Sequence, residues 1–300
     1  MNSTAAGDKS ARIEVLHGRD LIAAGEVRVI PVSPRVAIGG TAGLHPERKH
    51  DGNEDVIAYI SSGDAEAVAV ADGHFGKRAA ELAIEVAVAE LSRSRLRFGD
   101  PLGALSLVMG QSLRRIAEVL APEFKRIENS PETSLLVLLR QGEQAFVANI
   151  GDSLALRRGS RGALELLNPL QRNWLGIGCA LATECPDGHG VRAAAANLGI
   201  GFWQRGKAEK AFAMRQSLEQ HYSASLAIEP GMSLLIGTDG LLEGREDAEE
   251  KIGYSLLRAE GQTAEQVAHE ILAGAMARGC PDNVAFVLLL PEDHQPEAAG

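Results

Sequence analysis

Residues 67–93 read AVAVADGHFGKRAAELAIEVAVAELSR, and two periodicities within them place a strand before a helix with a sharp turn between. AVAVA (67–71) is a strand-sized apolar run, whereas 77–93 carries Ala, Leu and Glu at roughly 3.6-residue spacing, the mark of an amphipathic helix. Asp72-Gly73-His74-Phe75-Gly76 makes the turn, because Asp bonds its own backbone and Gly takes positive φ readily. A carboxylate therefore stands at a strand end. The same arrangement recurs along the chain: Asp152 follows AFVANIG, Asp239 follows SLLIGT, and Asp282 precedes NVAFVLLL. Taken singly, each is an ordinary turn residue. Carboxylates gathered at the rim of a sheet, however, repel one another and shift one another's pKa unless a cation neutralises them. Four aspartates at strand ends thus imply a metal. Oxygen-only ligation without paired Cys or His selects Mg²⁺ or Mn²⁺ over zinc.

Working outward, further strand-sized runs occupy 36–38, 56–60, 134–139, 145–150, 154–157, 223–228, 233–236 and 285–290, and helical periodicity returns at 102–120 and 263–278. Strands in hairpin-like succession, with helices inserted between pairs, predict an α+β fold with antiparallel sheets at the centre and helices outside. Residues 1–32 are polar and end near Pro-Val-Ser-Pro (31–34), which reads as an N-terminal extension leading into the first strand. A single domain over 33–292 is expected, with a flap-like insertion at about 168–220 and a short tail at 293–300. In the 300 residues, 30 Lys and Arg against 40 Asp and Glu give a net charge of −10, which argues against nucleic acid and for cations as partners. Three cysteines cannot close a disulfide framework, and residues 1–20 hold no apolar leader. A cytoplasmic monomer without a membrane segment is the expectation.

The ordered motifs Asn53-Glu54-Asp55, Asp72-Gly73-His74-Phe75-Gly76, Glu132-Thr133, Ala148-Asn149-Ile150-Gly151-Asp152-Ser153, Thr238-Asp239-Gly240 and Asp282-Asn283 resemble those of the metal-dependent Ser/Thr protein phosphatases of type 2C (PPM), over roughly residues 33–290. The resemblance implies a central antiparallel β-sandwich flanked by helices, with a binuclear Mn²⁺ or Mg²⁺ centre at one end. By that likeness Asp72 bridges the two metals, and the Gly73 carbonyl, Asp239 and Asp282 are direct ligands. Glu54 and Asp55 hold water that the metals bind, Asp152 looks like the position for a weaker third ion, and Asn283 supports the ligands. The implied activity is hydrolysis of a phosphorylated protein, the product of a Ser/Thr kinase, without a covalent intermediate. His74 is the expected general acid.

Departures from the family pattern are local. Its usual phosphate-clamping arginine falls on His50, preceded by Arg48 and Lys49, so any of the three is a candidate for the substrate phosphate. The usual serine before Asp-Gly is Thr238, and the arginine after Gly-Asp-Ser is Leu154. Other chemistries fit less well. Cys185 and Arg192 flank six residues rather than the five of a cysteine phosphatase loop, and residues 73–78 lack P-loop spacing. Cys179, Cys185 and His189 lack a fourth zinc ligand. Two alternatives are a catalytically weak phosphoprotein-binding module of the same fold and a phosphatase for small phosphoesters.

Overall fold

The computed structural model describes residues 11–63, 65–93, 99–120, 131–158, 164–168, 198–199, 222–229, 231–243, 252, 255–256, 258–259 and 261–292. Two six-stranded antiparallel sheets are stacked between helices. The first sheet contains β1 (Arg12–His17), β4 (Val56–Ser62), β5 (Ala65–Ala71), β8 (Leu135–Gln141), β9 (Gln144–Ile150) and β13 (Tyr222–Ala227), in that spatial order. The second runs β11 (Leu164–Leu166), β10 (Leu154–Arg158), β14 (Ser233–Gly237), β15 (Val284–Leu289), β3 (Val36–Thr41) and β2 (Val27–Ser33). A short third sheet joins β6 (Gly73–His74), β7 (Glu132–Thr133) and β12 (Leu198–Gly199).

Side-chain alternation with period two explains the layers. Along β4, Ile57 and Tyr59 face the second sheet in one apolar cluster with Ile38, Ile236 and Val287, whereas Ala58 and Ile60 face the helices. Helices α1 (Arg78–Arg93) and α2 (Pro101–Leu120) cover that outer face through Leu82, Leu91, Leu105 and Met109. Helix α3 (Ala264–Ala277) covers the second sheet through Val267, Ile271 and Leu272 against Phe286 and Leu288. Its start is fixed by a capping box in which the Thr263 side chain accepts from Gln266 N. Because both faces of the central strands are covered, β8 reads LLVLL without polar alternation. Among the described residues, no helix is long and apolar enough to cross a membrane.

One expectation is corrected. Residues 11–33 are not an extension: β1 pairs along its whole length with β4, from Arg12↔Ser61 to His17↔Val56, and β2 pairs with β3. Their polarity reflects their place, since each is the edge strand of its sheet and buries only part of itself. Leu16, Ile30 and Val32 still join the core between the sheets. Pro31, which reads as turn punctuation, lies at a register shift on the β2 edge, where a missing N–H costs no ladder bond. Residues 1–10, the tail at 293–300 and most of 168–220 lie outside the described residues, as do Cys179, Cys185 and His189.

Candidate metal centre

Antiparallel pairing sets Val56 opposite Ala71, and likewise brings the start of β8 beside the end of β9 and the end of β14 beside the start of β15. Asp55, Asp72, Asp152, Asp239 and Asp282 lie just beyond these strand ends, at one end of the sandwich. The Thr238 hydroxyl closes the gap between the sheets by donating to Asp55 Oδ2 at 2.9 Å. Carboxylate oxygens of Asp72, Asp152 and Asp239 lie within 4.8 Å of one another, as do those of Asp239, Glu243 and Asp282. Asp239 belongs to both groups.

The electrostatics of these groups test whether cations fit. Burial, then the charges of Asp55, Asp239 and Asp152, push Asp72 well above the usual carboxylate range. Burial and Asp282 push Asp55 up to about 8, against the opposing pull of Lys49 and Thr238. Carboxylates raised in this way gain most from a hard divalent ion, which replaces mutual repulsion with attraction. The all-oxygen donor set therefore suits a hard divalent cation.

Neighbouring groups hold the aspartates in place. Asp72 N donates to Ser134 Oγ at 3.2 Å, and Ser134 Oγ lies 2.7 Å from Ser153 Oγ, so the serine of Gly-Asp-Ser steadies Asp72 through a relay. Asn283 is 2 % exposed and ties three segments together. Its Nδ2 donates to the carbonyls of Ala42 and Gly52, both at 3.0 Å, and its Oδ1 accepts from Glu54 N at 3.1 Å. The glycines after Asp72 and Asp239 are required by close approach: a Cβ on Gly73 would lie 2.6 Å from the Glu54 carbonyl oxygen, and one on Gly240 would lie 2.0 Å from that of Asn283.

Of the three candidates for the substrate phosphate, Lys49 alone is set among the aspartates. Its ammonium pairs with Asp282 Oδ1. Burial opposes its charge, but Asp282, Asp72 and Asp55 outweigh burial and hold Lys49 above the ordinary lysine value. Arg48 is exposed on the 3-10 turn Pro46–Arg48. The His50 side chain is 70 % exposed, with Nδ1 3.5 Å from Asp51 Oδ1. Glu54 faces this outer loop: its Oε1 accepts from Gly76 N at 2.7 Å and Asp51 N at 3.3 Å, and it groups with His50 and Asp51. His74 is half-buried, its Nδ1 3.8 Å from Asp72 Oδ1 and without a hydrogen-bond partner among the described residues.

Glu243 is the acidic residue that sequence reasoning missed. The signal was present in Thr-Asp-Gly-Leu-Leu-Glu, where a carboxylate follows Asp239 by four residues across the turn Asp239–Leu241.

Comparison with known proteins agrees with this geometry. The family described as protein phosphatase 2C matches residues 42–273. No curated protein sequence matches the chain. Among solved structures, the serine/threonine phosphatase PstP/Ppp of Mycobacterium tuberculosis is 21 % identical with a TM-score of 0.59, covering 86 % of this chain and 98 % of its own. The catalytic domain of PstP in complex with two manganese ions is 20 % identical with a TM-score of 0.59, covering 88 % and 99 %. A bacterial serine phosphatase is 16 % identical with a TM-score of 0.62, covering 88 % and 98 %. With five aspartates converging at one end of the matching sandwich, the chain belongs to the protein phosphatase 2C family.

Proposed function

We propose that this chain hydrolyses phosphoserine and phosphothreonine in proteins with the help of two divalent cations, Mn²⁺ or Mg²⁺, and that Asp152 serves a third, weaker ion. The observation that carries the reading is the pair of acidic groups sharing Asp239 at the sandwich end. Asp72 and Asp239 would hold one cation and Asp239, Glu243 and Asp282 another, with Asp152, grouped beside Asp72 and Asp239, left to serve the third. Bound cations supply a water activated for attack on phosphorus and neutralise the charge that develops on phosphate oxygens. The chain's own groups do the rest. Thr238 orients Asp55 through its hydroxyl, and Asn283 locks the loop bearing Glu54 and Asp55 to the start of β15. Lys49, positioned beside Asp282, receives the negative phosphate as a point charge. His74 moves a proton to the departing seryl or threonyl oxygen, without which an alkoxide leaves poorly. Gly73 belongs to the site because a side chain there would drive Glu54 away. A phosphorylated protein in a reducing, cytoplasmic setting is the substrate this reading assigns, supported by the unpaired, buried Cys280.

The test is hydrolysis of a phosphothreonine peptide by purified protein with Mn²⁺ and with EDTA. Activity with Mn²⁺, abolished by EDTA and by Asp239→Asn, is expected. Metal-independent hydrolysis, or none with any divalent ion, refutes the proposal.

A further inference from the structure

Phe75 occupies a backbone conformation that its side chain disfavours. Its φ is +60°, in the left-handed region where a Cβ crowds the following carbonyl and a bulky residue is an outlier. With Gly76 at φ +116° it reverses the chain from β6 into α1. Hydrogen bonds hold that reversal from outside: Gly76 N donates to Glu54 Oε1 at 2.7 Å, and Lys77 N donates to Asp51 Oδ2 at 3.0 Å. Glycine or asparagine at position 75 would make the same turn with less strain.

Packing does not account for the phenyl ring either. Phe75 is 50 % exposed, whereas Tyr59, Phe146 and Phe286 are buried. Such strain persists where surroundings over-determine it, and it collects at sites that bind or act. The location fits, because Phe75 follows His74 directly and Asp72 by three residues. A second exposed apolar side chain lies across the neighbouring loop. Ile22 is 55 % exposed and sits against Gly52, while Gly76 sits against Asp51, so apolar groups flank the loop 50–52 on both sides.

We propose that Phe75 is a specificity-determining residue, a fixed aromatic rim that receives an apolar side chain next to the phosphorylated residue of the substrate. The inference rests on the phosphatase reading above and names which phosphoproteins that site prefers. An apolar neighbour such as Leu removes ring surface from water on binding, whereas Lys or Glu leaves its own charge to be desolvated. Discrimination by one apolar contact runs from about 10- to 200-fold, and a half-open surface belongs at the low end, about tenfold in kcat/KM for Leu over Ala.

The experiment compares phosphothreonine peptides carrying Leu, Ala, Lys or Glu on either side of the phosphoresidue, with Mn²⁺, for wild type, Phe75→Leu and Phe75→Gly. The wild type is expected to prefer the Leu peptide, Phe75→Leu to retain part of the preference, and Phe75→Gly to bring the Leu-to-Ala ratio near one. A ratio unchanged in Phe75→Gly, a loss shared equally by both peptides, or a preference for Lys or Glu overturns the proposal. Failure of the underlying reading looks different: the wild type would then hydrolyse no peptide, the Ala peptide included. The melting temperature supplies a readout independent of turnover. Phe75→Gly should melt above Phe75→Ala, because only the former relieves the left-handed backbone; the reverse order refutes that conformation.

Discussion

Replacing Asn283 by Ala tests how the candidate metal centre is assembled. The side chain is 2 % exposed and makes three hydrogen bonds, donating to Ala42 O and Gly52 O and accepting from Glu54 N. A net worth of about 0.5–1.5 kcal/mol per bond gives about 2–4 kcal/mol for the set, before any relaxation that lets water reach the orphaned groups. For a chain of this size, that corresponds to a fall in Tm of about 3–6 °C. The three partners lie in the segment from Ala42 to Glu54, which also carries Lys49, so freeing it from β15 should loosen the acidic groups as well. Mn²⁺ affinity is expected to fall about 10- to 100-fold, the usual effect of losing a residue that orients ligands. Differential scanning fluorimetry in EDTA and titration calorimetry with Mn²⁺ separate the two effects. Asn283→Asp keeps the size and the acceptor oxygen but removes both donors, and should show most of the same loss. A Tm drop below about 2 °C in Asn283→Ala, or unchanged Mn²⁺ affinity in both variants, would refute the assigned role.

Three further outcomes follow from other contacts. Lys49→Ala should raise KM for a phosphopeptide about tenfold, equal to about 1.4 kcal/mol of binding, while Arg48→Ala, on the exposed turn, changes it less than twofold; the opposite ranking removes Lys49 from the phosphate. His74→Ala should slow phosphopeptide hydrolysis about 10²- to 10⁴-fold but aryl phosphate much less, because a nitrophenolate leaves unprotonated; equal losses would reduce His74 to shaping the site. Glu66→Gln should cost about 3 kcal/mol at pH 7, because it removes the buried carboxylate that Arg35 and Arg140 share and leaves Arg140 with the exposed Glu292. Burial alone would raise the Glu66 pKa, but Arg35, Tyr59 and Arg140 outweigh it and hold the carboxyl below its ordinary value. A depressed folded-state pKa means stability present above the unfolded-state value of about 4.3 and lost as pH falls below it, so urea denaturation should show the deficit shrinking in acid. A deficit that is constant with pH contradicts this assignment.

The strands and helices were legible because most are buried on one face or both, so that hydrophobic periodicity records the fold directly. AVAVA, LLVLL and VAFVLL read as strands from composition alone. β1 and β2 were hidden for the opposite reason: an edge strand needs an apolar side chain only where it meets the core, and RIEVLH keeps Leu16 for that purpose while exposing Arg12 and Ile13. The clamp candidates show a second limit. Arg48, Lys49 and His50 are adjacent in sequence, and all are cationic or become so, which makes them chemically similar at a distance. The 3-10 turn Pro46–Arg48 decides among them by ending at Arg48, after which extended backbone at Lys49 carries its side chain to Asp282. Glu243 escaped notice because its partner Asp282 is 39 positions away, a closeness produced by the pairing of β14 with β15.

The two ends of the sandwich show why one is read as a metal centre and the other is not. At the end away from the aspartates, one buried carboxylate, Glu66, is answered by Arg35, by Arg140 and by the Tyr59 hydroxyl at 2.6 Å, and Arg140 extends the network to Glu292 at 2.7 Å. Positive charge there meets or exceeds negative, and the carboxyl titrates below its ordinary range. At the other end Asp55, Asp72 and Asp282 share Lys49, with Asp152, Asp239 and Glu243 crowded beside them, and Asp55 and Asp72 titrate above theirs. Burying like charges is unfavourable unless a counter-charge repays it. The same fold can meet that demand with arginine, as it does around Glu66. Gathering Asp55, Asp72 and Asp282 around Lys49, with three further carboxylates close by, is therefore a specific departure, and its oxygen donors are of the kind that suits a hard divalent cation as counter-charge.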